Sequence, residues 1–295
     1  MKYKGYIYLA ITILLFSTIE VVSSTLKGLI DPFQLTFMRF VVGGLTLLPF
    51  VLFNREKVTL KDMLFFAGLG ILNVLISMSC FQLAIELGKA STVAILISSN
   101  PVFVAVFSML LLKEKITKER IICIIFGIIG ISLVIYKGNS GGDTVEGLIL
   151  GVLASLTFAL YTVLGKFKAD NISSVTMVCW SSLLGSALYI PILLYKHLPL
   201  FYIPQGSLIQ ILYLGILVSG VAYVVYMKAL QNLPASKGSM VFFLKPVIAL
   251  GLAVVFLHET ISFNTIIGMI LVLLGIAINF INFKRKPTGD VAIEE

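Results

Sequence analysis

Long apolar stretches separated by short polar breaks make up most of the chain. Ten of them read as helices, at 5–25, 32–53, 62–81, 88–112, 119–137, 146–166, 174–195, 207–229, 235–257 and 263–283. A helix needs about 20 mostly apolar residues to cross a hydrocarbon core roughly 30 Å thick, and these stretches have that length. The breaks carry turn and charge punctuation: Asp31-Pro32, Asn54-Arg55-Glu56-Lys57, the run GNSGGD at 138–143, Pro199, Pro204 and Lys284-Arg285-Lys286-Pro287. Runs such as Ile121–Tyr136 and Val247–Leu257 do not alternate in polarity. That excludes a membrane barrel, whose strands alternate over about ten residues. With no water to satisfy the backbone, the spans must be helical.

The pattern occurs twice. Residues 81–136 moved forward by 145 positions land on 226–281: Ala90–Ser91 meets Ala235–Ser236, Pro101–Val102 meets Pro246–Val247, and Glu114 meets Glu259. Upstream the offset is 142, so that Phe16 meets Phe158, Gly43 meets Gly185 and Pro49 meets Pro191. Residues 5–137 and 146–283 are thus expected as two five-helix repeats, joined by 138–145 and followed by a cytoplasmic tail at 284–295. Five is odd, so the second copy enters the membrane from the opposite side. An all-α integral membrane protein of ten helices in two inverted repeats is a design typical of transporters. The GNSGGD run reads as a connector, since no strand precedes it as a phosphate-binding loop would require. Lys2 and Lys4 before an apolar run resemble a signal peptide, but Phe16 and its surroundings match the sixth span, so the first helix is kept as structure. The polar end of the chain, 287–295, is expected to be disordered.

Composition agrees. The chain is 59% hydrophobic and 12% charged, with mean hydropathy +1.06, too apolar for water to be its main solvent. The net charge of +8 does not point to nucleic acid, because the cations fall in loops at alternate helix ends. With the N-terminus inside, sixteen of the 22 Lys and Arg are cytoplasmic, four are outside, and Arg39 and Lys245 are in the membrane. This bias puts both termini in the cytoplasm and the protein in the cytoplasmic membrane. Cys80, Cys123 and Cys179 have no metal or redox spacing and read as small buried hydrophobes. Trp180 and Lys196–His197 read as interface anchors, and Gly43–Gly44, Gly127, Gly130, Gly185 and Ser186 as close-packing positions.

Several strings resemble the EamA-type transporters of the drug/metabolite transporter superfamily. They are YVVYMKALQNLPASKGSMVFFLKP at 223–246, PVFVAVFSMLLLKEKIT at 101–117, PVIALGLAVVFLHETIS at 246–262, FALYTVLGK at 158–166 and the Arg39–Phe40 pair. The likeness spans about residues 5–283. It implies ten helices around a central cavity and movement of small metabolites, often by export. One departure is in the first helix, where the family often carries Trp-Gly and this chain reads Leu15-Phe16-Ser17-Thr18-Ile19-Glu20.

Charge within a bilayer costs about 2.5 to 3.5 kcal/mol near a helix centre, so intramembrane ionisable groups mark function or pairing. Ser17, Glu20 and Ser24 share one helix face. Glu20 reads either as a cavity carboxylate that binds a cationic group or carries a proton, or as a helix-end carboxylate reaching outer water. Lys245, which occupies the position of Asn100 in the first repeat, either attracts a substrate carboxylate, pairs with Glu20, or snorkels. Arg39 reads as structural, tying backbone carbonyls at a helix start. Pro101 and Pro246 each free a carbonyl and kink a helix. Glu114 and Glu259 read as helix caps or loop partners, with gating as the alternative. Polar stripes add Asn73 with Ser77, Thr157 with Tyr161, and Ser219 with Tyr223 and Tyr226, either as helix–helix hydrogen bonds or as cavity lining.

The candidate substrate-binding set is therefore Ser17, Glu20, Asn73, Ser77, Asn100, Tyr161, Tyr223 and Lys245. Glu20 is also the candidate for proton coupling. Arg39, Pro101, Pro246, Glu114 and Glu259 are structural or gating. His197 and His258 are the only histidines and match no ligand pattern, and no Walker sequence is present, so no metal, cofactor or enzymatic role is expected. The expected function is a secondary transporter of an amino acid or similar amphipathic solute. It works by alternating access, exports its solute, and uses protons for coupling. A facilitative uniporter or channel for an amine or other small metabolite is the alternative. Expected partners are the small-molecule substrate, the lipid bilayer and protons, but not nucleic acid; the state is monomer or homodimer.

Overall fold

The computed structural model describes residues 2–54, 56–115, 117–136, 143–169, 172–261 and 263–283. Most of the linker at 138–145 and all of the tail at 284–295 lie outside these residues. Eight helical stretches are long and apolar enough to cross a membrane: α1 (Lys4–Ser24), α2 (Pro32–Asn54), α3 (Leu60–Leu87), α4 (Ala90–Leu112), α6 (Val145–Lys168), α7 (Ser174–Tyr195), α8 (Leu208–Asn232) and α9 (Ala235–Leu257). Two further long helices, α5 (Lys118–Tyr136) and α10 (Phe263–Phe283), pack against each other. No strand occurs among the described residues. The protein is a multi-pass helical membrane protein. Its outer surface shows large apolar side chains such as Phe50, Leu52, Phe53 and Ile209, whose apolar solvent is lipid.

Polar residues at the breaks close the helix starts. Thr59 and Asp62 form a capping box at the head of α3, and Thr144 caps α6 through the Gly147 amide at 3.1 Å. Ser173 caps α7, and Glu56 accepts from the Ser173 amide at 2.9 Å and from the Thr176 hydroxyl at 2.6 Å. Each bond satisfies an amide or hydroxyl at a helix start, where no intrahelical partner exists. The third helix runs to Leu87 rather than ending at 81. Gln82 beyond that point is buried and still helical, and the chain turns extended only at Gly88.

Two seams tie the halves together, and they correspond in the repeat, Gly43 to Gly185 at an offset of 142 and Gly70 to Gly215 at 145. Gly43 on α2 lies so close to α8 that an added Cβ would sit 2.9 Å from the Gly215 carbonyl and 3.0 Å from the Gly220 amide. Gly185 on α7 lies against α3, where the same atom would meet Val74 at 2.8 Å and the Gly70 carbonyl at 2.9 Å. Small residues let backbones approach where no water drives association. Beside both seams the helix widens to π geometry, at Ile71–Ser77 in α3 and Tyr213–Ala222 in α8. Such widenings are rare and concentrate at functional regions.

Candidate functional site

A narrow cavity lies between the halves, lined by Phe16, Ile19, Met78, Phe81, Ile97, Phe158, Tyr223, Phe242 and Lys245. Ring contacts organise its wall. Phe16 meets Tyr223 edge-on at 5.2 Å and stacks on Phe242 at 5.8 Å, and Phe158 meets Phe242 edge-on at 5.7 Å. Two of the lining pairs are repeat counterparts: Phe16 with Phe158, and Ile97 with Phe242. Of the residues expected from sequence, Tyr223 and Lys245 line the cavity. The phenylalanines were missed, although the offset that paired Phe16 with Phe158 was a signal.

At the cavity the Lys245 ammonium is hydrogen-bonded to the Glu20 carboxylate through Oε1, with both side chains buried. Glu20 and Lys245 thus pair with each other, and both are buried away from an aqueous surface. Local breaks in the helices aim them at each other. Helix α1 loosens at Ser17–Thr18 just before Glu20, and α9, after a first α-helical turn, passes through a 3₁₀ stretch, Ser239–Leu244, just before Lys245. The ammonium also lies 5.6 Å from the Phe81 ring centroid. Glu20 Oε2 has no hydrogen-bond partner.

Arg39 completes a buried charge cluster. Its guanidinium is fully buried, attracts the Glu20 carboxylate and repels the Lys245 ammonium. Nε donates to Ser219 Oγ at 3.2 Å, while Nη1 and Nη2 have no partner. The expected tie to backbone carbonyls at a helix start is not made.

The remaining expected residues divide. Tyr223 donates to Asn73 Oδ1 at 3.5 Å, which brings two of them together beside the cavity. Ser17 donates to the Ile13 carbonyl at 2.6 Å and Ser77 to the Ala154 carbonyl at 3.0 Å, so both hydroxyls serve backbone. Asn100 donates to the Ser155 carbonyl at 3.1 Å. Tyr161 is fully buried, its ring stacked on Phe158 at 5.8 Å. Pro101 leaves the Ile97 carbonyl without its helical donor, and Ser155 Oγ donates to it at 3.3 Å. Pro246 follows Lys245 in the first turn after the 3₁₀ stretch.

Glu114 and Glu259 do cap helices, and the helices they cap belong to the other half. Glu114 accepts from the Ala235 amide at 2.8 Å, the Ser236 amide at 3.3 Å and the Ser236 hydroxyl, at the start of α9. Glu259 accepts from the Ala90 amide at 2.9 Å, the Ser91 amide at 3.1 Å and the Ser91 hydroxyl, at the start of α4. The same local turn presents both carboxylates. Lys113 and His258 adopt left-handed conformations, with φ of 54° and 52°, and the next amides reach back to Ser108 and Ala253. Because each helix ends where the other begins, α4 and α9 run antiparallel.

The model of the EamA-like transporter family matches residues 3–136 and, separately, 145–281. A protein of Clostridium kluyveri named as an uncharacterized transporter is 33% identical, over 96% of this chain and 94% of its own. The transporter YoaV of Bacillus subtilis, also named uncharacterized, is 25% identical over 87% and 90% of the two chains. These relatives are named as transporters and not as enzymes. A crystal structure titled only as that of a protein superposes with a TM-score of 0.76 at 19% identity, covering 97% of this chain and 99% of that one; that likeness shows the fold.

Proposed function

As a member of the EamA-like transporter family, to which the chain belongs, the protein is a membrane transporter, and we propose that it exports a small amphipathic zwitterion, such as an amino acid, by alternating access. The observation that carries this reading is the buried Lys245–Glu20 pair, whose lysine lines a ring-walled cavity between the halves. A zwitterion exchanges charge for charge with such a pair, and the aromatic wall accepts its apolar part.

Ten spans and two inverted repeats, 5–137 and 146–283 joined by 138–145, frame the motion. The antiparallel α4 and α9 support the inversion, as does the double match to one family model. With sixteen of 22 cations on one side, both termini face the cytoplasm of a cell membrane. Glu114 and Glu259 gate opposite ends, since helices of this length put their termini about 34 Å apart. Glu20 is the coupling group: its carboxylate takes a proton on the empty return step and gives it up when substrate binds.

The test is flux of labelled amino acids in proteoliposomes, with and without an imposed pH gradient. Accumulation that collapses with the gradient, and that Glu20→Gln abolishes, supports the coupled exporter. An intact proton response in Glu20→Gln removes Glu20 from coupling. Equilibration indifferent to pH leaves a facilitative uniporter.

A further inference from the structure

The buried cluster beside the cavity holds two cations, Arg39 and Lys245, and one anion, Glu20. Lys245 donates to one oxygen of Glu20. What is left is a guanidinium with two unpartnered donors and a carboxylate with one unpartnered oxygen, all sealed from solvent. A cation kept in a membrane interior without an acceptor is strongly disfavoured, so the fold is holding Arg39 ready for a group it does not itself contain.

Position restricts what that group is. Ser219 holds Nε, which leaves the Nη1 and Nη2 pair as the free part of the fork. The guanidinium carbon lies 5.6 Å from the Phe40 ring centroid, and that ring packs edge-on at 5.7 Å against Tyr223, a cavity-lining side chain. One turn along α2, Gly43 packs the helix closely against the π segment that carries Ser219. Two parallel N–H donors fit a planar, two-oxygen anion.

The repeat sharpens the point. Under the same offsets Arg39 corresponds to Ser181, Glu20 to Thr162 and Lys245 to Asn100. Every charge of the cluster replaces a neutral polar residue of the other half, whereas the caps and seams keep their counterparts. The charges serve a partner without two-fold symmetry, as a substrate is.

We propose that Arg39 is the anion-recognising residue of the site, that it grips the substrate carboxylate bidentately through Nη1 and Nη2, and that Glu20 Oε2 receives the substrate ammonium. This rests on the reading that the cavity is the substrate site. It adds a ranking: a carboxylate is required, and an amine alone is a poor ligand.

Binding to the purified full chain in detergent tests it with three probes of one apolar skeleton. L-leucine carries both charges, isocaproate only the carboxylate, and isoamylamine only the ammonium. Wild type is expected to bind leucine and isocaproate at least ten-fold more tightly than isoamylamine. Arg39→Gln should weaken both carboxylates at least ten-fold and leave isoamylamine within two-fold. Arg39→Lys should rescue little, since one ammonium cannot replace a fork. The wild-type ranking needs no variant, which keeps the test decisive if Arg39→Gln does not fold. Isoamylamine binding wild type as tightly as isocaproate overturns the proposal, as does isocaproate binding unchanged in Arg39→Gln, or none of the probes binding wild type. Flux separates the two readings. Isoamylamine carried in proteoliposomes without carboxylate preference keeps the transporter and removes Arg39; carboxylate binding lost in Arg39→Gln with no flux of any probe does the reverse.

Discussion

Glu259 binds the first turn of the helix that Glu114 terminates. Glu114 in turn binds the first turn of the helix that ends before Glu259, so α4 and α9 are fastened head to tail at both ends. Each carboxylate takes two backbone amides and one serine hydroxyl from the other half.

Hydrogen bonds to a charged group contribute about 1.5–3 kcal/mol each, so removing one carboxylate loosens one end selectively. With cysteines placed at the repeat counterparts Ile97 and Phe242, Glu259→Gln is expected to raise labelling by an impermeant thiol reagent from one side of the membrane. Glu114→Gln should raise it from the other side. Equal labelling of both variants from the same side would show that the caps do not gate opposite ends.

Glu20→Gln leaves Lys245 buried without a counter-charge, and breaking a buried pair in this way costs about 3–5 kcal/mol. A clear fall in thermal midpoint is expected. Glu20→Gln combined with Lys245→Met should recover most of the midpoint while transport stays absent. A double variant as unstable as the single one would mean that the loss comes from packing rather than from the stranded charge.

Helix approach at the seams predicts another contrast. Overpacking of this kind costs about 1–3 kcal/mol. Gly43→Ala and Gly185→Ala should therefore each lower the thermal midpoint, because their new methyls fall against backbone or a wedged valine. Gly251→Ala, with nothing within 4 Å, should leave it unchanged or slightly raised. Melting curves of the three variants in one detergent decide the matter.

The wall rings predict a separation of effects. Phe158→Ala removes a side chain that contacts Phe16, Tyr223 and Phe242 at once, so both affinity and stability should fall. Loss of a buried aromatic costs about 3–5 kcal/mol in midpoint terms. Phe158→Leu keeps most of the volume and should regain stability while the KM for an amphipathic substrate remains raised. A KM unchanged in Phe158→Leu would place the substrate elsewhere.

Hydropathy and the internal offset made the helices and the two halves legible, because bilayer thickness dictates length and duplication leaves a constant shift. Glu20, Arg39 and Lys245 stood out for a similar reason: charge in an apolar run is costly wherever it points. Their mutual arrangement was less legible. The partners Glu20 and Lys245 are 225 residues apart, and periodicity carries no information about which helices meet. For Ser17 and Ser77 spacing gave a helix face but not the acceptors, the Ile13 and Ala154 carbonyls. The π segments left no mark in the hydrophobic pattern, since an extra residue per turn depends on the backbone packed beside it.

The contrast between paired caps and unpaired charges has a consequence for how this protein can change over evolutionary time. A substitution at one cap or one glycine seam alters one of two matching joints, whereas the same change at its counterpart would restore the match. Arg39, Glu20 and Lys245 have no such twin to keep in step. On the proposed reading, cargo would change with these three side chains while the caps and seams were inherited intact.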